Sequence, residues 1–333
     1  MKNSTKIVFI VIIIVAILMI ATVCNHESLG IWLLESDSVL RWVQWGANEG
    51  YPAAQYILAT MYYDGRGVPQ DYEQAVYWFR LAADQGDTSA QFNLGLMYRH
   101  GKGIPQDYKQ AIYWFRLAAD QGYASGQNSL GLMYRDGRGV PQDYNQALYW
   151  FRLAVAQGNL AAQNNLGYMY QHGLGVPQNY EQALYWFHLL AEQNDALTQN
   201  RLGHMYLHGL GVPQNYEQAE YWFRLSADQG NASAKNHLGI IYWHAENYEQ
   251  AVYWYRLSAE QGNASAQNHL GAMYQQGLGV TQDYEQAVRW YRLAADQGHA
   301  GAQNNLGIMY RDGLGVPQNY EQAEYWFRLA EEE

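Results

Sequence analysis

Histidine is the residue of this chain best suited to chemistry. Ten occur, and His204 and His208 stand four apart, a spacing that puts two imidazoles on one helix face. Met205, Tyr206 and Leu207 lie between them, so the HExxH pattern of a zinc hydrolase is absent and no third ligand stands nearby. Surface histidines on a variable helix face are the plainer reading, and no metal is expected. A Ser-His-Asp or Cys-His nucleophile does not assemble either. The one cysteine, Cys24, abuts an apolar run, and no serine departs from a recurring pattern. The repeated Gly-x-Gly-Val-Pro has the glycines of a phosphate loop, but no strand precedes it and no Lys-Ser/Thr follows. Carboxylates are frequent, yet they stand where helix capping already explains them. The sequence therefore assigns no catalytic residue, cofactor or metal ligand. Asn231-Ala232-Ser233 and Asn263-Ala264-Ser265 are glycosylation acceptors that matter only in a eukaryotic secretory pathway.

The elements that position these residues are legible as a period. Trp recurs at 78, 114, 150, 186, 222, 254, 290 and 326, in steps of 36 except one of 32. The short step falls where Ile240–Gln250 (IIYWHAENYEQ) lacks the Gly-x-Gly-Val-Pro segment, which predicts a tighter turn there. Each copy reads as two helices. In residues 89–101, Ala90, Leu94, Met97 and Tyr98 recur at helical spacing up to a glycine stop. Asp107 is an N-cap with Gln110 as a capping-box partner, and Ala111, Trp114, Phe115 and Ala118 form one face of the second helix. A pair this small cannot bury its own apolar face, so neighbours must stack. Residues 37–50 align with a second helix, Trp42 in the place of Trp78, and read as a degenerate capping half-repeat. Thirty-one of the 42 Tyr and Trp fall in four repeat columns, including the Tyr before each Trp and the Tyr of Met-Tyr. All four columns are expected to fill the space between repeats.

Comparison of the copies isolates three first-helix positions that vary and share a face. They read Asn165/Tyr168/His172, Arg201/His204/His208, His237/Ile240/His244 and His269/Ala272/Gln276 through the middle of the array. Nitrogen bases are concentrated there although the protein is acidic. The net charge is −11, or −13 once Lys2 and Lys6 are set aside, which disfavours nucleic acid.

Those two lysines precede an unbroken apolar stretch at 7–23, about 25 Å of helix, near the lower limit for a ~30 Å hydrocarbon core. The positive-inside rule puts residues 1–6 in the cytoplasm and everything after the span outside. An uncleaved anchor is expected at 7–23, followed by a linker at 24–36. A cleaved signal or a lipoprotein signal ending at Cys24 are the alternatives, with Val23 bulky where a lipoprotein signal has a small residue.

The string A-x-Q-N-x-L-G-x-M-Y-x-x-G-x-G-V-P-Q-[DN]-Y-E-Q-A-x-Y-W-[FY]-R-L-A-A-D-Q-G, eight times over residues 51–333, resembles the Sel1-like repeat family, relatives of tetratricopeptide repeats. The resemblance implies an all-α, right-handed α/α superhelical solenoid of helix-turn-helix repeats, here with one N-terminal transmembrane helix. It also implies that the first helices line a concave groove. The function to expect is then a non-enzymatic, membrane-tethered scaffold that binds a protein or peptide. Its candidate groove residues are Asn165, Tyr168, His172, Arg201, His204, His208, His237, His244 and His269. If the ligand is anionic, binding should strengthen below about pH 6.5 as these histidines charge. The expected place is the periplasmic side of a bacterial inner membrane, with self-association through the uncapped C-terminal end. A secreted or lipid-anchored effector is the alternative. A β-lactam-related hydrolase, suggested for cysteine-rich relatives, is a weaker one because the repeats here carry no cysteine.

Overall fold

A computed structural model describes residues 37–332. The expected tail 1–6, span 7–23 and linker 24–36 lie outside the described residues. Within them the chain forms seventeen helices and no strand. The first nine are α1 (Asp37–Asn48), α2 (Pro52–Asp64), α3 (Tyr72–Asp84), α4 (Thr88–His100), α5 (Tyr108–Asp120), α6 (Ala124–Asp136), α7 (Tyr144–Val155), α8 (Leu160–His172) and α9 (Tyr180–Ala191). The rest are α10 (Ala196–His208), α11 (Tyr216–Asp228), α12 (Ala232–His244), α13 (Tyr248–Ala259), α14 (Ala264–Gln276), α15 (Tyr284–Ala295), α16 (Ala300–Asp312) and α17 (Tyr320–Glu331). After α1 come eight hairpins, α2–α3 to α16–α17, each an even-numbered first helix and an odd-numbered second. The architecture is an all-helical solenoid, in two compact units that end at Ala162 and begin at Gln163. No helix among the described residues is long and apolar enough to cross a membrane.

Each hairpin is punctuated by its sequence. Gly101 ends α4 in the left-handed region at φ 68°, its N–H donating to Met97 O, a conformation that an L side chain adopts at a cost. Asp107 begins α5, its Oδ1 accepting from the N–H groups of Lys109 and Gln110 at 2.8 and 3.1 Å. Two bonds tie the turn: Asp107 N–H donates to Tyr98 O at 2.9 Å, and Gln106 Nε2 to Arg99 O at 2.7 Å. The short turn keeps the first bond, from Asn247 N–H to Tyr242 O at 2.9 Å. It reaches it with Ala245 and Glu246 alone, Glu246 taking φ 57° in the role of the missing glycines.

The core lies inside each hairpin and between hairpins. Leu94, Met97 and Phe115 are fully buried among Ala90, Ala111 and Ala118. Burying each large side chain contributes about 1.5–3 kcal/mol, and small residues opposite let the helices approach. Between hairpins of the first unit, the buried Gln91 donates to Ala83 O at 3.1 Å and accepts from Gln121 Nε2 at 2.8 Å. Gln127 does the same with Ala119 O and Gln157. In the second unit Gln199 and Gln267 accept from Gln229 and Gln297, whereas Lys235 stands at the equivalent place in the short repeat. A second clasp joins a second-helix arginine to the Met-Tyr hydroxyl of the next hairpin, as in Arg80–Tyr98 and Arg116–Tyr134. His188 takes the arginine's place with Nε2 3.1 Å from Tyr206 Oη. At the N-terminal end α1 packs on α2 through Leu40, Val43 and Ala47, and Gln55 donates to Ala47 O at 3.2 Å.

One expectation about the aromatic columns is corrected. The Tyr before each Trp is not core: Tyr113 is 53% exposed, and Tyr77, Tyr149, Tyr185, Tyr221 and Tyr253 match it. Successive helical residues point about 100° apart, so when Phe115 and Trp114 turn inward Tyr113 must turn out. Each such tyrosine instead sets its ring edge-on to the neighbouring Trp, 5.0 Å away for Tyr113–Trp114.

Candidate functional site

The variable stripe runs along the first helices of the second unit, α10, α12 and α14, of which α10 touches α12 and α12 touches α14. Its three columns differ in depth. The first position in each copy (Arg201, His237, His269) is half-buried, and the last (His208, His244, Gln276) is exposed.

The first position is held by two neighbours that recur with the repeat. One is an aromatic ring of the preceding hairpin's second helix. His237 stacks on Phe223 at 4.7 Å and 15°, His269 lies over Tyr255 at 4.9 Å, and the Arg201 guanidinium sits 4.7 Å above Phe187. The other is an Asn of the preceding first helix. Arg201 Nη1 donates to Asn164 Oδ1 at 3.0 Å. The Nδ1 atoms of His237 and His269 lie 3.3 and 3.1 Å from the Oδ1 atoms of Asn200 and Asn236. Asn305 donates to Asn268 at 2.9 Å in the same register. The stripe is thus a ladder of polar side chains cross-linking successive hairpins.

That burial changes the acid–base reading. Desolvation, with help from the charges of His204, His208 and His269, pushes His237 down to about 4. Desolvation and His299 bring His269 to about 4 as well. His204 is also lowered, by burial first and His208 second, and burial lowers Arg201. The expectation that this face charges below pH 6.5 therefore does not hold for His237 and His269, which stay neutral in mild acid.

The structure sorts the predicted residues into four groups. Asn165 is half-buried, and Tyr168 and His172 meet ring to ring at 4.3 Å. Arg201 belongs to its Phe187–Asn164 seat. His204, His208 and His237 form a cluster, with ring centroids 4.3 Å apart for His204–His208 and 6.0 Å for His204–His237. Among the described residues no group of three or more His, Cys, Asp or Glu is placed to hold a metal ion.

His244 and His269 line a cavity of about 290 Å³ between α12 and α14, which periodicity alone did not reveal. Ile240, Ala272 and Met273 form its apolar floor, Trp243 and Tyr255 its aromatic walls, and Gln276 its polar lip. Five of the eight lining residues stood in the variable columns, and Trp243 lies outside the four aromatic columns, a signal the sequence carries. Trp243 is 43% exposed although apolar and large. Burial raises the Tyr255 hydroxyl far above its ordinary value and lowers His269, so both are uncharged at neutral pH. The cavity can accept a flat or branched apolar side chain and hydrogen-bond its backbone.

An all-helical array of hairpins with a variable first-helix face defines a repeat protein of the solenoid class. The chain belongs to the Sel1 repeat family, whose pattern matches residues 52–87, 88–123, 124–159, 160–195, 196–231, 232–263, 264–299 and 300–333. Among solved structures it is similar to a Sel1 repeat protein from Oxalobacter formigenes, at 30% identity over 91% of this chain and 90% of that one, with a TM-score of 0.72. It is also similar to a protective antigen of uropathogenic Escherichia coli displaying an SLR fold, at 36% identity over 87% and 79% of the two chains, with a TM-score of 0.51. No curated protein matches the chain. Sel1-repeat solenoids are typically non-catalytic scaffolds that bind proteins.

Proposed function

We propose that this protein is a non-enzymatic scaffold that binds an extended peptide or protein segment along the first-helix face of its second unit. The cavity at Trp243 carries this reading. It is the point on the variable face where an apolar side chain of a partner can be buried, while the exposed His208, His244 and Gln276 border the path of its backbone. The right-handed superhelix and concave groove implied by the family belong to the proposal, supported by the contacts of α12 with α10 and with α14. The proposal includes tethering through residues 7–23, with the repeats on the outer side of a bacterial inner membrane. The lysine bias of residues 1–6 and the antigen relative favour it.

Crosslinking and co-purification of the full chain from native membranes tests both parts. A reproducible protein partner is expected, reduced about tenfold by Trp243→Ala combined with Gln276→Ala, both surface positions. Unchanged capture by that variant removes the cavity from the reading, and no reproducible partner argues against the scaffold. The mass of the mature N-terminus decides the anchor. A Met1-containing membrane species supports it, and a chain beginning at or near Cys24 supports a secreted or lipid-anchored form.

A further inference from the structure

The short repeat leaves a second seat empty, on the turn side of the molecule. In five full repeats the turn after the first helix covers the tyrosine that begins the preceding second helix. Gly211 lies so close to Tyr180 that an added Cβ would run into that residue's backbone carbonyl, and Gly103, Gly139, Gly279 and Gly315 lie the same way on Tyr72, Tyr108, Tyr248 and Tyr284. All five of these tyrosines are half-buried. Tyr216 belongs to the same column, and the turn that should cover it is the one reduced to Ala245, Glu246 and Asn247. Tyr216 is 50% exposed, approaching Tyr320 at 67%, which has no described turn over it.

The molecule itself shows what this seat accepts. At the five described seats the turn is Gly-x-Gly followed by an aliphatic residue, and Ile104, Val140, Val280 and Val316 pack in the same clusters as Tyr72, Tyr108, Tyr248 and Tyr284. At Tyr72 the intervening residue is Lys102, whose ammonium lies 5.4 Å from the Tyr72 ring and 5.0 Å from that of Tyr63. Glu217 follows Tyr216 and Glu246 stands in the shortened turn above it, and no Lys or Arg occurs in 214–218 or 245–249. We infer that the vacated seat at Tyr216 docks a turn of a partner protein carrying Gly-(Lys/Arg)-Gly-aliphatic-Pro, its cation over the Tyr216 ring and within reach of these carboxylates. The surface lies outside the first-helix cavity and does not depend on the reading given to that face.

The probe is a peptide of the sequence 99–107, Arg-His-Gly-Lys-Gly-Ile-Pro-Gln-Asp, with a photoreactive lysine in the Gly-Lys-Gly and the full chain as its target. Saturable crosslinks are expected on the segments holding Tyr216 or Ala245–Glu249. Replacing Ala245-Glu246 by Gly-Leu-Gly-Val-Pro-Gln, the chain's own segment 209–214, refills the seat and should lower the yield about tenfold. Tyr216→Asp, a change at an exposed position, should do the same without affecting the helical melt. A probe with Glu in place of the lysine should not compete. Equal yield in the refilled protein, or no saturable crosslink in this region, overturns the inference. So does a change of oligomeric state in the refilled protein by light scattering, since the occupant would then be a second copy.

Discussion

His237 and His269 make the residue-scale case that position in a column does not determine chemistry. Both are neutral in the fold because each ring is pressed on an aromatic of the preceding hairpin's second helix and desolvated there. Their values of about 4 lie below the ordinary 6.5, so the unfolded chain takes up protons first. Stability is therefore full above pH 6.5 and falls as pH drops toward 4, by roughly 3 kcal/mol for each ring at the lower end. The groups that face His237 are His204, His208 and His269, and His299 faces His269. The thermal midpoint should fall steadily between pH 6.5 and 4. His269→Asn, which matches Asn305 in the last repeat, should flatten that slope. Ring-proton NMR with midpoints near 6.5 for these two residues would defeat the prediction. The stripe was legible from comparing copies. Its burial was not, because the covering ring and Asn come from positions 14 and 33–37 residues away.

At the scale of the helix, two opposed effects meet at the glycine inside seven of the eight first helices, α2 carrying Ala59 in its place. Gly203 lies mid-helix, where alanine would gain about 1 kcal/mol of propensity. A Cβ there would sit 2.6 Å from the Phe223 ring, which is itself fully buried. Overpacking of this kind costs about 1–3 kcal/mol, so it outweighs propensity and the two helices of the hairpin must separate. Gly203→Ala should lower the thermal midpoint, and the residues of α10 and α11 should lose hydrogen-exchange protection first. A raised midpoint would mean that the ring slides aside and that helix propensity governs the site. The helices, their Asp and Asn caps and their glycine stops could all be read from single repeats. Two features could not. The turn glutamine reaches back to the first helix, and the exposed Tyr of Tyr-Trp follows from which neighbour wins the inward direction.

For the whole molecule, the period of 36 carries an energetic consequence as well as an architectural one. Within each unit every helix pair in substantial contact is consecutive in the chain, apart from α10 with α12 and α12 with α14. Among the described residues of each unit, contacts therefore run between neighbouring hairpins, and stability should behave as a chain of hairpin and interface contributions. Leu94 is fully buried in α4, between the hairpins on either side. Leu94→Ala should cost about 2–5 kcal/mol locally, through lost burial and the cavity left behind. The opening it causes should spread through α2 to α7 and fade along the array, since each interface crossed restores part of the native stability. Hydrogen exchange read by mass spectrometry separates the two regimes. Faster exchange confined to residues 52–155, with α12 to α17 unchanged, is the expected pattern. A uniform rise from α2 to α17 would show that the eight repeats unfold as one cooperative body, and that couplings beyond neighbouring helices hold the array together.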